Sequence, residues 1–255
     1  MSLNTLLTEN AANTMTSSSP QSAQDRLAVA LDVPNAQQAL DLIDRLEGTC
    51  RWVKVGMELY YSAGNAFVET LRKKGFQVFL DLKLHDIPNT VAGAVRSVTS
   101  AGASLLTIHA TGGPAMMAAA AEAASAPGSP RLLAVTVLTS MDASELSDIG
   151  IPSTPADQVL RLALLAQSAG IHGMVCSPEE VAILRAETHP NTMLVIPGIR
   201  PTGSDIGDQK RISTPAETIA HGASMLVVGR PITRAANPAA AAQSILDEIA
   251  HAAKP

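Results

Sequence analysis

Asp81, Lys83 and Asp86 put two carboxylates and one ammonium within six residues, at the end of the apolar run Val78–Leu80. The stretch reads as a buried strand and its exit loop. On a strand, side chains alternate faces, so Asp81 and Lys83 are expected to point one way and Leu82 the other. Pro88 then ends the strand and permits a helix start. A lysine between two acids stays protonated, because opposite charges favour the charged form. Such a lysine is a poor Schiff-base nucleophile and a poor general base. It suits a general acid that meets a developing negative charge and then protonates it. The competing reading is a structural ion network at a strand end. Three charges in so short a piece of an apolar stretch favour chemistry.

These residues need elements to hold them. Apolar runs predict strands over Leu27–Leu31, Trp52–Val55, Gln77–Leu82, Ser104–Ile108, Arg131–Leu138, Gly173–Cys176, Met193–Ile196 and Met225–Val228. Each is followed by a segment of helical spacing, as in Ala36–Glu47, where Leu40, Ile43 and Leu46 share a side, and most of those segments stop at glycine. A long connection with Gly150, Pro152 and Pro155 follows the fifth strand. Strands that are continuous apolar runs and alternate with helices indicate a parallel sheet. Eight such units in about 230 residues match an α/β fold of one closed (β/α)8 TIM barrel. A doubly wound open sheet is the rival, but no G-x-G-x-x-G follows the first strand. The organisation predicted is a mobile tail over residues 1–24 and a single barrel domain over 25–255.

In such barrels the site lies at the carboxyl ends of the strands. Those ends carry Asp32 on strand one, Lys54 on strand two, the Asp81 cluster on strand three, Thr139-Ser140 after strand five, Gly198-Ile199-Arg200 after strand seven and Gly229-Arg230 after strand eight. The loops after strands seven and eight commonly bind phosphate. Glycine lets the backbone approach an anion and arginine supplies a forked donor set. Arg200 and Arg230 are therefore the phosphate candidates, against the alternative of two surface arginines. His85 is expected to be structural or supporting, directed away from Lys83 by alternation. His109 ends a strand, at core or rim. No His/Asp/Glu grouping has metal spacing, which disfavours a metal, and no Ser or Cys has a paired base in its sequence context.

Composition narrows the function classes. The 255 residues carry a net charge of −5, with 2% aromatic residues and a pI near 5.6. That lacks the basic footprint and stacking platforms of a nucleic-acid binder. No apolar run approaches the roughly 18 residues that span a membrane. Cys50 and Cys176 are far apart and outside any C-x-x-C, which fits reduced thiols in a cytoplasmic protein. The first 24 residues are rich in Ser, Thr, Asn and Gln and lack the basic start and apolar core of a secretory signal.

Taken together, the motifs resemble the orotidine 5′-phosphate decarboxylase family. The most specific piece is Asp81-Leu82-Lys83-Leu84-His85-Asp86-Ile87-Pro88-Asn89-Thr90. Ala30-Leu31-Asp32, Val53-Lys54-Val55-Gly56, Val137-Leu138-Thr139-Ser140-Met141 and Pro197-Gly198-Ile199-Arg200-Pro201 support it. So do Gly207-Asp208-Gln209-Lys210-Arg211 and Val227-Val228-Gly229-Arg230-Pro231, all in the family's order. The match runs from about Arg26 to Ala235; the tail has no counterpart in these motifs. The resemblance implies a homodimer with shared sites and no cofactor, acting on orotidine 5′-monophosphate. It implies that Lys83 protonates C6 of the pyrimidine and that Asp81 lies near the departing carboxylate. Asp86, with Ile87 and Thr90, would reach the partner chain's site. Asp32 and Lys54 would contact ribose, and Thr139 or Ser140 the pyrimidine edge. Arg200, Gln209, Gly229 and Arg230 would hold the 5′-phosphate, with the loop from Pro201 to Arg211 closing over it. Two rivals share parts of the pattern. One is a metal-dependent sugar-phosphate aldolase or synthase with D-x-K-x-x-D; the other is a non-catalytic barrel that binds UMP.

Overall fold

The computed structural model describes residues 22–201 and 213–253. Residues 1–21, most of the expected tail, lie outside that range, as do most of the loop expected to close and Gln209 within it. The chain alternates strands and helices: β1 (Leu27–Ala30), α1 (Ala36–Arg45), β2 (Trp52–Gly56), α2 (Met57–Lys73), β3 (Gln77–Leu84), α3 (Pro88–Ser100), β4 (Leu105–His109) and α4 (Gly113–Ala123). It continues with β5 (Arg131–Val135), α5 (Ala143–Asp148), α6 (Pro155–Ser168), β6 (Gly173–Val175), α7 (Val181–Glu187), β7 (Met193–Ile196), α8 (Pro215–Ala220), β8 (Met225–Val228), α9 (Arg230–Thr233) and α10 (Pro238–Ala252). The eight strands pair in parallel and in chain order, and β8 pairs back onto β1 to close the barrel.

Strand alternation divides the apolar residues into two cores. One face of every strand contributes to the barrel interior, where Ala28, Phe79, Leu105, Leu133, Val195 and Met225 pack with Trp52, Val175 and Val227. The other face meets the helices. There Val29, Val53, Leu80, Leu106 and Leu226 join helical side chains such as Leu42, Val68, Val95, Leu162 and Ile245. Filling the interior with side chains makes the barrel a packed core whose only free face for a ligand is its rim.

Helix starts follow local chemistry. Asn35 caps α1 by accepting from the Gln38 N–H at 3.0 Å, and Asn237 caps α10 through Ala240 in the same way. Two helices go beyond the sequence expectation. In the connection after β5, Asp142 and Glu145 form a capping box that starts α5. After β8, α9 makes a single turn with Arg230 at its start and Pro231 in its first turn. Two strand ends move by more than one residue. β5 stops at Val135, three residues early, and the chain beyond it enters a turn closed by Met141 N–H donating to Leu138 O at 2.9 Å. β3 runs on to Leu84 through a register shift that bears directly on the site.

Candidate active site

Because Phe79 faces the barrel interior, Asp81 two residues later faces the carboxyl-end mouth of the barrel. Beyond it the ladder with β4 is irregular. Leu80 pairs with Leu106, but the next pair is Leu84 with Ile108, so four steps on β3 match two on β4. Such bulges re-aim side chains. Here the bend falls on Lys83, whose φ of +50° is left-handed, a conformation costing a non-glycine residue roughly 1–2 kcal/mol. Lys83 and Asp81 do face the same space, through a bulge and a left-handed residue rather than through the plain alternation expected. The Lys83 Nζ donates to both Asp81 oxygens at 2.9 Å.

The network extends toward β1. The Lys54 Nζ, on a buried side chain, lies 2.9 Å from Asp32 Oδ1 and 3.8 Å from Asp81 Oδ2. Lys54 thus stands between two carboxylates and Asp81 between two ammoniums. Burial raises the Asp81 pKa, yet the charges of Lys54 and Lys83 and hydrogen bonds from Lys83 and Thr107 outweigh it, holding the group below its ordinary value of 3.8. Gly56 packs closely under this arrangement: a Cβ there would lie 3.1 Å from Lys54 Nζ, so the ammonium would have to shift by a few tenths of an ångström.

Across the mouth, β7 leads into Gly198, whose φ of +78° is favourable only for glycine. The turn puts Arg200 in a buried position, its backbone N–H donating to Ser213 O at 3.0 Å and its Nη1 to Ile199 O at 2.8 Å. Arg230 enters from the start of α9, with Gly229 before it. A cavity of about 240 Å³ joins the two halves. Its lining includes Asp32, Lys54, Asp81, Lys83, Thr139, Arg200, Gly229 and Arg230. Four cations face two carboxylates, an excess suited to a dianionic phosphate.

Other predicted residues lie elsewhere. Asp86, Ile87 and Thr90 sit at the start of α3, exposed and outside this cavity; Ile87 is 68% exposed. Asp86 Oδ1 accepts from the Ile87 N–H at 2.7 Å. Ser140 is exposed beside Thr139 and does not line the cavity. Gln209 is outside the described residues. The His85 and His109 rings lie side by side, tilted by 34° with centroids 5.5 Å apart. Burial, then the neighbouring His85 and Lys83, push the His109 imidazole below its ordinary 6.5, against a smaller upward pull from Asp81. Cys50 and Cys176 are buried thiols, and burial pushes Cys50 up to about 12. Among the described residues, no group of three or more His, Cys, Asp or Glu is arranged to hold a metal ion, and no helix is long and apolar enough to cross a membrane.

One residue was not anticipated. Thr107, fully buried on β4, accepts from the Lys83 N–H at 2.8 Å and donates to Asp81 Oδ1 at 3.0 Å. Its signal in the sequence is faint: a hydroxyl two residues after Leu105, hence on the same inward face of an otherwise apolar strand.

Fold and site define a (β/α)8 barrel with a lysine–aspartate network and two arginines gathered at its carboxyl-end mouth. The chain belongs to the orotidine 5′-phosphate decarboxylase / HUMPS family, whose model matches residues 25–245. It is similar to the orotidine 5′-phosphate decarboxylase of Halorhodospira halophila, at 52% identity over 228 residues, covering 89% of this chain and 97% of that protein. The Pseudomonas aeruginosa protein of the same name is 50% identical over 228 residues, covering 89% and 98%. Among solved structures, orotidine 5′-phosphate decarboxylase from Lactobacillus acidophilus superposes with a TM-score of 0.78 at 39% identity, covering 88% of this chain and 99% of that one.

Proposed function

We propose that this chain decarboxylates orotidine 5′-monophosphate to UMP and CO2 in pyrimidine nucleotide synthesis, with Lys83 as proton donor to C6. The observation that carries the reading is the Lys83 ammonium, fixed by both Asp81 oxygens at 2.9 Å in a cavity also lined by two arginines. Relatives of about half-identical sequence bear the decarboxylase name. In the Asp81 carboxylate both oxygens are taken by Lys83, with Thr107 on one and Lys54 near the other, which suits a proton-donor site better than a metal ligand.

The chemistry follows from the charges. The C6–carboxylate bond breaks, CO2 leaves, and the electron pair stays on C6. The Lys83 ammonium stabilises that pair as it forms, then transfers its proton to C6; the neutral amine regains a proton from solvent. Asp81, ionised, opposes the substrate carboxylate in the ground state and is relieved as CO2 departs. Arg200, Gly229 and Arg230, with Gln209, hold the 5′-phosphate. Asp32 and Lys54 hold the ribose. Thr139, which lines the cavity, takes the pyrimidine edge in preference to Ser140. The step draws on no cofactor.

The active form is a homodimer in the cytoplasm. Asp86, Ile87 and Thr90 are exposed on the single chain, as expected of groups that complete a partner's site, and Ile87 is a large apolar side chain that a subunit contact would cover. The test is ultraviolet absorbance of orotidine 5′-monophosphate with purified protein and excess chelator, Lys83→Ala in parallel. Substrate loss by the wild type alone, with UMP and CO2 as products, supports the reading. UMP binding without turnover would point to a nucleotide-binding barrel, and turnover of sugar phosphates only with added metal to an aldolase.

A further inference from the structure

The bulge in β3 breaks the hydrogen-bond ladder where the proton donor sits. Between the pairs Leu80–Leu106 and Leu84–Ile108, the Lys83 N–H finds the Thr107 hydroxyl at 2.8 Å. The same oxygen donates its hydrogen to Asp81 Oδ1 at 3.0 Å. One hydroxyl therefore ties together the backbone of Lys83, held at φ +50°, and the carboxylate that holds the Lys83 side chain. Thr107 is fully buried, so water does not compete for either bond. A hydroxyl has one hydrogen to give and lone pairs to accept with, and a donor N–H and an acceptor carboxylate use both in one orientation. Valine has the same shape and meets neither need.

We propose that Thr107 is a positioning residue, whose hydroxyl fixes the left-handed Lys83 backbone and the Asp81 carboxylate in one mutual geometry. The inference rests on the decarboxylase reading, in which Lys83 delivers the proton. Loss of the hydroxyl frees the bulge to relax and swings the ammonium off the line to C6. Misplacement of a reacting group by about 1 Å costs on the order of a hundredfold in rate. The phosphate contacts and Asp32 lie on other strands and make no bond to Thr107; Lys54, 3.8 Å from Asp81 Oδ2, keeps its 2.9 Å pair with Asp32.

The experiment compares wild type, Thr107→Val and Thr107→Ser as full-length proteins, measuring kcat and KM for orotidine 5′-monophosphate and binding of UMP. In Thr107→Val, kcat falls about 10- to 100-fold, while KM and UMP affinity stay close to wild type. Thr107→Ser keeps the hydroxyl and recovers most of the rate. Wild-type turnover with unchanged kcat in Thr107→Val overturns the role of Thr107 and leaves the decarboxylase reading standing; no wild-type turnover overturns that reading itself. If Thr107→Val is recovered unfolded, Thr107→Ser decides. A folded serine variant with near wild-type kcat supports the role, and one as slow as Lys83→Ala overturns it.

Discussion

Removing the Arg230 guanidinium tests the proposal that binding of the 5′-phosphate there drives the chemistry at Lys83. Arg230 and Arg200 face the cavity from the loops after β8 and β7. A charge-assisted hydrogen bond contributes about 1.5–3 kcal/mol. A guanidinium fork makes two such bonds to a phosphate, so Arg230→Ala removes about 3–6 kcal/mol. At about 1.4 kcal/mol per decade, kcat/KM falls about 10²- to 10⁴-fold. The loss divides between KM and kcat, because phosphate binding also drives positioning of the ring. The backbone should survive the change, since Ile232 and Thr233 N–H donate to Gly229 O at 2.9 and 3.0 Å without help from the side chain. The assay is steady-state absorbance with orotidine 5′-monophosphate, and with orotidine, which lacks the phosphate, as control. The variant should match wild type on orotidine and lose activity only on the nucleotide. Unchanged kinetics on the nucleotide, or equal losses on both substrates, would refute the assignment.

Further predictions concern the charge network and the core. Asp81 has a depressed pKa in the folded state, so its stabilisation is complete above its ordinary value of 3.8 and is lost as pH falls through the lower folded value. The Lys54 charge is the largest single cause lowering that pKa, with Lys83 adding both charge and a hydrogen bond; Lys54→Met therefore shifts acid unfolding, followed by circular dichroism, to higher pH, and an unchanged midpoint would count against the linkage. Gly56→Ala puts a methyl 3.1 Å from Lys54 Nζ and 3.4 Å from Asp32 Oδ1; KM should rise severalfold with the urea midpoint nearly unchanged, and an unaltered KM would show that this corner does not contact substrate. Phe79 is 2% exposed in the barrel interior; Phe79→Ala should lower stability by about 3–5 kcal/mol in urea titration, and a loss under about 1 kcal/mol would deny its place in the packed interior.

Much of the barrel was readable because its signals are local and repeated. Each strand is an apolar run and most helices stop at a glycine, so local pattern alone assigns the strand ends, and with them Asp32, Lys54, Arg200 and Arg230, to one mouth. What escaped depended on pairing between distant segments. The Asp81–Lys83 contact was expected from alternation, yet it is made through a bulge whose register against β4 no local pattern reveals. Thr107 escaped for the same reason: an uncharged hydroxyl gains meaning only from the strand beside it. The helices α5 and α9 are six and four residues long, too short for a periodic signal, although Asp142 and Glu145 did carry a capping box. Asp86, Ile87 and Thr90 are exposed at the start of α3, and the role read for them rests on the proposed dimer.

The central claim is that Lys83 delivers the proton to C6, and the most direct measurement is single-turnover decarboxylation by Lys83→Ala beside wild type, each with UMP binding measured on the same preparation. The account predicts a folded variant that still binds UMP and forms no product while wild type converts substrate fully. Product formation by the variant at a rate near wild type would contradict it.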